Sequence, residues 1–328
     1  MTRFSVLDLV PVVEGGSIGA ALANAAKLAQ AAERAGYHRF WVAEHHGMAG
    51  IGGAATAVTL AHIGHATSTI RIGSGGIMLP NHSPYVIAEQ FGTLDALFPG
   101  RVDLGLGRAP GADGRIAQML RKDLMRAAEA FPGDVVELQA LFAGDPRLPL
   151  QATPGLGADI EMWILGSSLF GAQLAAMLGQ PYAFASHFAP AALDQALALY
   201  RREFKPSERL AAPYVMAAIN VIAADSDAEA LLIGSSMDQA FVALRTGTPG
   251  KLKPPVEGYR QTLPPPALAM LESFREASAI GSPDTVRAAV AAFIARTGAD
   301  ELIFAGSTYD PTARVRSLEL AMAAVASL

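Results

Sequence analysis

There is no cysteine among the 328 residues. That absence removes disulfides, thiolate metal sites and cysteine nucleophiles together. Charge is scarce as well. Asp, Glu, Lys and Arg make up 17% of the chain, with a net charge of −5 and no block of one sign. Such a distribution offers no electrostatic footprint for nucleic acid or anionic lipid. No run reaches the roughly 18 apolar residues a spanning helix needs. The opening MTRFSVLDLVPVVEGG is interrupted at Pro11 and Glu14, too early for a signal peptide. These exclusions lead us to expect a cytoplasmic protein with no nucleic-acid or membrane partner. A hydrophobic content of 51% supplies a large core rather than a disordered chain.

Short β-like runs alternate with longer helical stretches along the sequence. The strand candidates are residues 3–10, 39–44, 71–79, 102–107, 161–166, 182–186, 214–224 and 301–306. Between the first two, SIGAALANAAKLAQAAERAG has apolar residues spaced by three and four, Ser17 as N-cap and Gly36 as stop. Continuous apolar strands separated by helices imply parallel pairing with both faces buried. Eight such units favour an α/β (β/α)8 TIM barrel, with insertions after strands 4 and 7, and one domain spanning residues 1–328. In the second insertion, the Pro- and Gly-rich segment 245–266 excludes regular structure through most of its length. A segment of this kind is either a functional lid or disordered chain.

In such a barrel the active site forms at the carboxyl ends of the strands. After the second run come Glu44, His45 and His46; the third carries Gly75-Gly76 and then Pro80-Asn81-His82. The fourth is followed by Arg108, the fifth by Gly166-Ser167-Ser168, the sixth by Ser186-His187 and the eighth by Ser307-Thr308-Tyr309. Strand ends are generally more polar than strands, so no single residue in this set is diagnostic. ILGSSLFGAQLAAMLGQP is more informative. It runs from strand into helix at Ser167-Ser168, placing hydroxyls and free N–H groups where an anion binds, with Arg108 as a fixed charge. The same serine also suits an ordinary N-cap, and this stretch alone does not decide between the two.

DLGLGRAPG fails as a dinucleotide fingerprint, because the third glycine is due at Pro110. Neither a GxxxxGK[ST] loop nor a GxSxG elbow occurs. His45 and His46 are adjacent and on a strand point to opposite faces, so they do not readily share one ion. His62 and His65 lie mid-helix. We assign no metal, although a zinc hydrolase on the same fold is a distinct possibility to test by elemental analysis.

Taken together, FWVAEHH, RIGSGGIMLPNHSPYVIAEQFGTLDALFPGRVDLGLGRAPG, WILGSSLFGAQLAAMLGQPYAFASHF and GSPDTVRAAVAAFIARTGADELI resemble the bacterial luciferase-like flavin monooxygenases, in particular their single-subunit branch. The resemblance implies a barrel that binds FMN, in reduced form, at the carboxyl ends of its strands. It places His45 as the catalytic group near the reactive edge of the flavin. Gly75 and Gly76 would form a strand bulge under the ring, with a cis bond between them; a trans bulge is the alternative. Arg108, Gly166, Ser167 and Ser168 would hold the phosphate. Gly171 stands where luciferase has a phosphate-binding threonine, and Gly75-Gly76 where it has two alanines. The implied partners are dioxygen, a small organic substrate, a separate reductase supplying reduced FMN, and a second copy of the chain. That homodimer would pair GGAATAVTLAHIGHATS with SPYVIAEQFGTLDALF, using Val86, Phe91, Leu94 and Phe98. A deazaflavin-dependent oxidoreductase and an inert flavin-binding protein are the alternatives on the same barrel.

Overall fold

A computed structural model describes residues 2–108, 118–120 and 123–328. Pro110 and Gly111, on which the dinucleotide reading fails, lie outside the described residues. The strands are β1 (Arg3–Asp8), β2 (Arg39–Val42), β3 (Arg71–Met78), β4 (Val102–Gly107), β5 (Glu161–Gly166), β6 (Tyr182–Phe184), β7 (Val215–Ala223), β8 (Ser278–Gly281) and β9 (Glu301–Ala305). Around them lie α1 (Ile18–Ala35), α2 (Thr56–Ala66), α3 (Pro84–Leu97), α4 (Leu124–Ala143), α5 (Leu169–Leu178), α6 (Leu193–Glu203), α7 (Asp227–Arg245), α8 (Pro265–Arg275), α9 (Pro283–Thr297) and α10 (Pro311–Val325).

All strand pairings are parallel. β1 to β7 pair in chain order, β7 pairs with β9, and β9 returns to β1, so eight strands close the expected barrel. The sequence reading missed β8. It is a four-residue strand, SAIG, paired with the upper half of β7 from Asn220↔Ser278 to Ala223↔Gly281. The insertion after β7 therefore rejoins the sheet above the barrel instead of passing over it as loop. Helix ends follow local chemistry. The Ser17 hydroxyl accepts the Ala20 N–H at 3.1 Å, and Gly36 takes the left-handed conformation (φ 88°) that stops α1.

Inward-facing side chains alternate along each strand and fill the barrel in layers. At the amino end Arg39, 1% exposed, donates to Asp103 and Glu301 at 2.9 Å each and to Glu161 at 3.3 Å. Burial opposes its charge, but those three carboxylates outweigh burial and keep the guanidinium ionised. Above it Trp41 and Trp163 pack edge to face at 5.3 Å, alongside Leu7, Met216 and Ile303. Nearer the mouth the same strands contribute Ala43, Gly75, Ala183, Ala218 and Ala305. The carboxyl end is thus walled by small residues over a bulky floor.

The β3 bulge sits at that level. Gly75 pairs with Gly105 and Ile77 with Leu106, which leaves Gly76 as the extra residue, and the Gly75–Gly76 bond is cis. The two glycines have different steric surroundings. A Cβ on Gly75 would lie 2.7 Å from Leu7 Cδ1, the movable end of a side chain. A Cβ on Gly76 would lie 2.6 Å from the Gly105 carbonyl oxygen, which is fixed backbone. Gly76→Ala should therefore destabilise the protein by roughly 1–3 kcal/mol, as overpacking does. Gly75→Ala should cost less, because Leu7 can move aside. Urea denaturation of both variants checks the order, and equal losses would show that the β4 backbone is not the constraint.

Candidate active site

Ala43, one residue past the end of β2, packs with Trp41 in the axial cluster. His45 follows on the loop, between Glu44 and His46. It is half-buried, its Nδ1 has no hydrogen-bond partner among the described residues, and it acts electrostatically on His187 from the loop after β6. Burial pushes the His45 imidazole down, helped by His46 and opposed by Glu44. Burial, with His45, pushes His187 down to about 4. Both rings are thus neutral near pH 7, and both have a buried Nδ1 without a partner among the described residues.

Glu44, 1% exposed, accepts from His46 Nε2 at 2.6 Å and His82 Nε2 at 2.8 Å through Oε1, and from the Met78 N–H at 3.0 Å through Oε2. Burial works to raise this carboxyl, but His82, His46 and the Met78 amide outweigh it and hold it below the usual range. β2 stops at Val42, so His45 and His46 lie on the loop beyond it and not on a strand, and the sequence did not suggest the pairing of His46 with Glu44. His82 joins them from the turn after β3, a contact that no local spacing announces. The three candidate ligand atoms lie within 4.8 Å of one another. Two tetrahedral ligands on one zinc, at about 2.0–2.1 Å from it, would stand roughly 3.3 Å apart. The contacts of 2.6 and 2.8 Å are hydrogen-bond lengths, and we read the trio as a hydrogen-bonded clip.

On the far side of the mouth, β5 ends at Gly166, and Ser167 and Ser168 lie exposed where α5 begins. Ser168 occupies the N-cap position, yet its hydroxyl makes no capping hydrogen bond. Arg108 extends from β4 and stacks its guanidinium 4.0 Å over the ring of Phe170, in the first turn of α5. The sequence-predicted cation and serines therefore converge at one helix N-terminus, a suitable setting for a phosphate. Gly171 is packed against Tyr182, 3.3 Å from where a Cβ would sit, so the missing threonine leaves no gap.

The segment after α7 is ordered over this end. Leu252 is buried and bridges Val13, the Glu14 N–H donates to the Leu252 carbonyl at 2.8 Å, and Lys251 Nζ donates to the Gly16 carbonyl at 2.8 Å. Gly250 crosses so close to Gly50, in the loop after His45, that a Cβ on Gly50 would lie 2.1 Å from its carbonyl oxygen. The amino end of the barrel also has a cleft, of about 560 Å³, lined by Arg3, Arg71, Glu161, Arg209 and Tyr214. Its polar groups are largely engaged already: Arg71 with Asp103, Arg209 with Asp159, Tyr214 with Glu301. At the carboxyl end, His45 Nδ1 and His187 Nδ1 have no partner among the described residues. A bare backbone ledge, small walls, these two imidazole nitrogens and a cationic helix start would suit a planar ring carrying a phosphate tail.

Comparison with known proteins agrees with this architecture. The sequence model of the luciferase-like monooxygenase family matches residues 2–301. A luciferase-like monooxygenase of Escherichia coli K12 is 50% identical over 320 residues, covering 97% of this chain and 96% of that one. Apo-MsnO8 superposes with a TM-score of 0.92 at 34% identity, over 99% of this chain and 98% of that one. At 20% identity and a TM-score of 0.77, the oxygenating constituent of 3,6-diketocamphane monooxygenase from Pseudomonas putida, solved in complex with FMN, shares the fold over 99% of this chain and 98% of its own. The chain belongs to the luciferase-like monooxygenase family.

Proposed function

We propose that the protein is an FMN-dependent monooxygenase that takes reduced FMN from a separate reductase and oxidises a small organic substrate with dioxygen. The observation that carries this reading is the convergence of the Gly75–Gly76 ledge, His45 and the Arg108–Ser168 corner around one mouth. When bound there, FMN supplies the redox chemistry, and the chain supplies orientation and a dry cavity. Arg108, Gly166, Ser167 and Ser168 grip the phosphate, and Gly75 and Gly76 leave backbone for the ring to rest on. His45, neutral and half-buried, can take up or return a proton at Nδ1. The segment 246–264, anchored through Leu252, shields the mouth from water. Exposed Leu169 and Phe188, each next to a mouth residue, give the rim an apolar character suited to a small organic molecule.

Because F420-dependent enzymes share this fold, the cofactor is the first thing to test. Titration with reduced FMN and with reduced F420, each with dioxygen uptake recorded, should show tight binding and substrate-dependent uptake only for FMN. Binding of F420 alone would transfer the reading to a deazaflavin oxidoreductase. FMN binding without substrate-dependent uptake would make the protein an inert flavin carrier.

We also propose a homodimer through α2 and α3, with a corrected contact set. Phe91, Leu94 and Phe98 are buried within this chain, Phe98 lying over Gly64, whereas Val58, Val86 and Leu97 are exposed. A monomeric mass by light scattering at micromolar concentration would refute it.

Ser168→Ala should weaken FMN binding by on the order of 1–2 kcal/mol, the worth of a hydrogen bond to a charged group, and leave riboflavin unaffected. Equal losses for the two ligands would remove Ser168 from the phosphate site. His45→Ala should retain FMN binding and reduce turnover by about 10²–10⁴-fold, measured by stopped-flow and steady-state dioxygen uptake. An unchanged turnover would take the proton step away from His45.

A further inference from the structure

We infer that Glu44 is a positioning residue that ties the loop carrying His45 to the Gly75–Gly76 ledge and holds a fixed negative charge beside His45. The inference rests on the reading of His45 as the proton-handling group at the flavin. The contacts of Glu44 stand independently of it.

Glu44 meets β3 at the bulge and two residues beyond it. Its own N–H donates to the Gly76 carbonyl at 3.2 Å, and its Oε2 accepts from the Met78 N–H at 3.0 Å. One residue thus fixes where β2 ends and how β3 leaves its bulge, and the next residue in the chain is His45. The two imidazoles complete the arrangement. An ionised carboxylate only accepts, so His46 and His82 must both carry a proton on Nε2, which sets the tautomer of each when neutral. A buried charge is a costly means of pinning a loop, since apolar side chains of similar size would do so at less expense in desolvation. What an apolar clip could not provide is the charge. Burial favours the neutral His45 imidazole; of the ionisable groups acting on it, Glu44 favours the protonated form and His46 opposes it, while His45 in turn acts on His187. Glu44 thus brings protonation of His45 nearer.

The test uses the full chain with ¹⁵N-labelled histidine, following each ring by NMR against pH, together with FMN titration by fluorescence quenching. In Glu44→Gln the His45 signals should titrate at lower pH than in the native protein, since the charge favouring the imidazolium is gone. The same variant should bind FMN on the order of ten-fold more weakly, because glutamine keeps only one acceptor oxygen and cannot serve both the two histidines and the Met78 amide, which loosens the ledge. His82→Ala, which keeps the charge but removes one of its donors, should move the His45 titration the other way, to higher pH. This second variant decides the matter if Glu44→Gln does not fold. An unmoved His45 titration in either folded variant would overturn the inference. So would stoichiometric zinc in the purified protein, because ligation needs the Nε2 lone pairs that the clip uses as N–H donors. Opposite shifts in a protein lacking substrate-dependent dioxygen uptake would defeat the monooxygenase reading and leave the clip intact. Turnover with FMN alongside an unmoved His45 titration would do the reverse.

Discussion

Arg39 sits where a closed barrel is hardest to fill. Eight tilted strands leave an axis that side chains must occupy. Here the amino end is closed by a guanidinium held among Asp103, Glu161 and Glu301 and lying 4.9 Å from the ring of Trp163. Asp103 also receives the indole N–H of Trp41 at 2.9 Å, so the ion cluster and the tryptophan layer above it are one connected unit. With the base filled this way, the upper layer need not be bulky. Alanine and glycine at the mouth would be a packing defect over an empty barrel. Over a floor of two indoles they leave the mouth lined by small residues.

Two buried charges, one at the foot of β2 and one just past its head, are satisfied in different ways. Arg39 is matched by carboxylates and cannot change its state in the range where proteins fold. Glu44, five residues on, accepts instead from the Nε2 atoms of His46 and His82 and from the Met78 amide. That carboxylate adjoins His45 in the chain, with Trp41 lying between the two charges.

Much of the barrel was legible in the sequence, because fully buried parallel strands read as unbroken apolar runs and each of the eight barrel strands lay within one. SAIG escaped because it is short, built of small residues, and defined by its partner Asn220–Ala223 more than by its own pattern. Of the candidate site, strand ends indicated where polar residues collect, and the structure brings Arg108 to the helix start that follows Ser167 and Ser168. Contacts closed by distant loops were not legible. His82 meeting Glu44 depends on how β3 leaves its bulge. The burial of Phe91, Leu94 and Phe98 depends on how α3 rolls against the sheet and α2. Proline and glycine announced that 245–266 would be irregular, but its anchoring through Leu252 is a tertiary fact.

The mouth is built largely from backbone. Gly76 lies against the Gly105 carbonyl, Gly105 against the Ser74 carbonyl, and Gly50 beneath Gly250, each at a distance that no side chain would permit. Surfaces of this kind accept a flat ring without discriminating among its substituents, since they present few side-chain groups to select with. Selection among substrates must then come from elements that do carry side chains near the rim: the turns bearing Leu169 and Phe188, and the strap that Leu252 anchors. These lie on connections after β5, β6 and β7, where length and composition can change without disturbing the packed axis below. A barrel with a rigid, filled base and a bare top separates the two tasks physically. On the proposed reading, the strands fix where the cofactor rests, and the loops decide what may approach it.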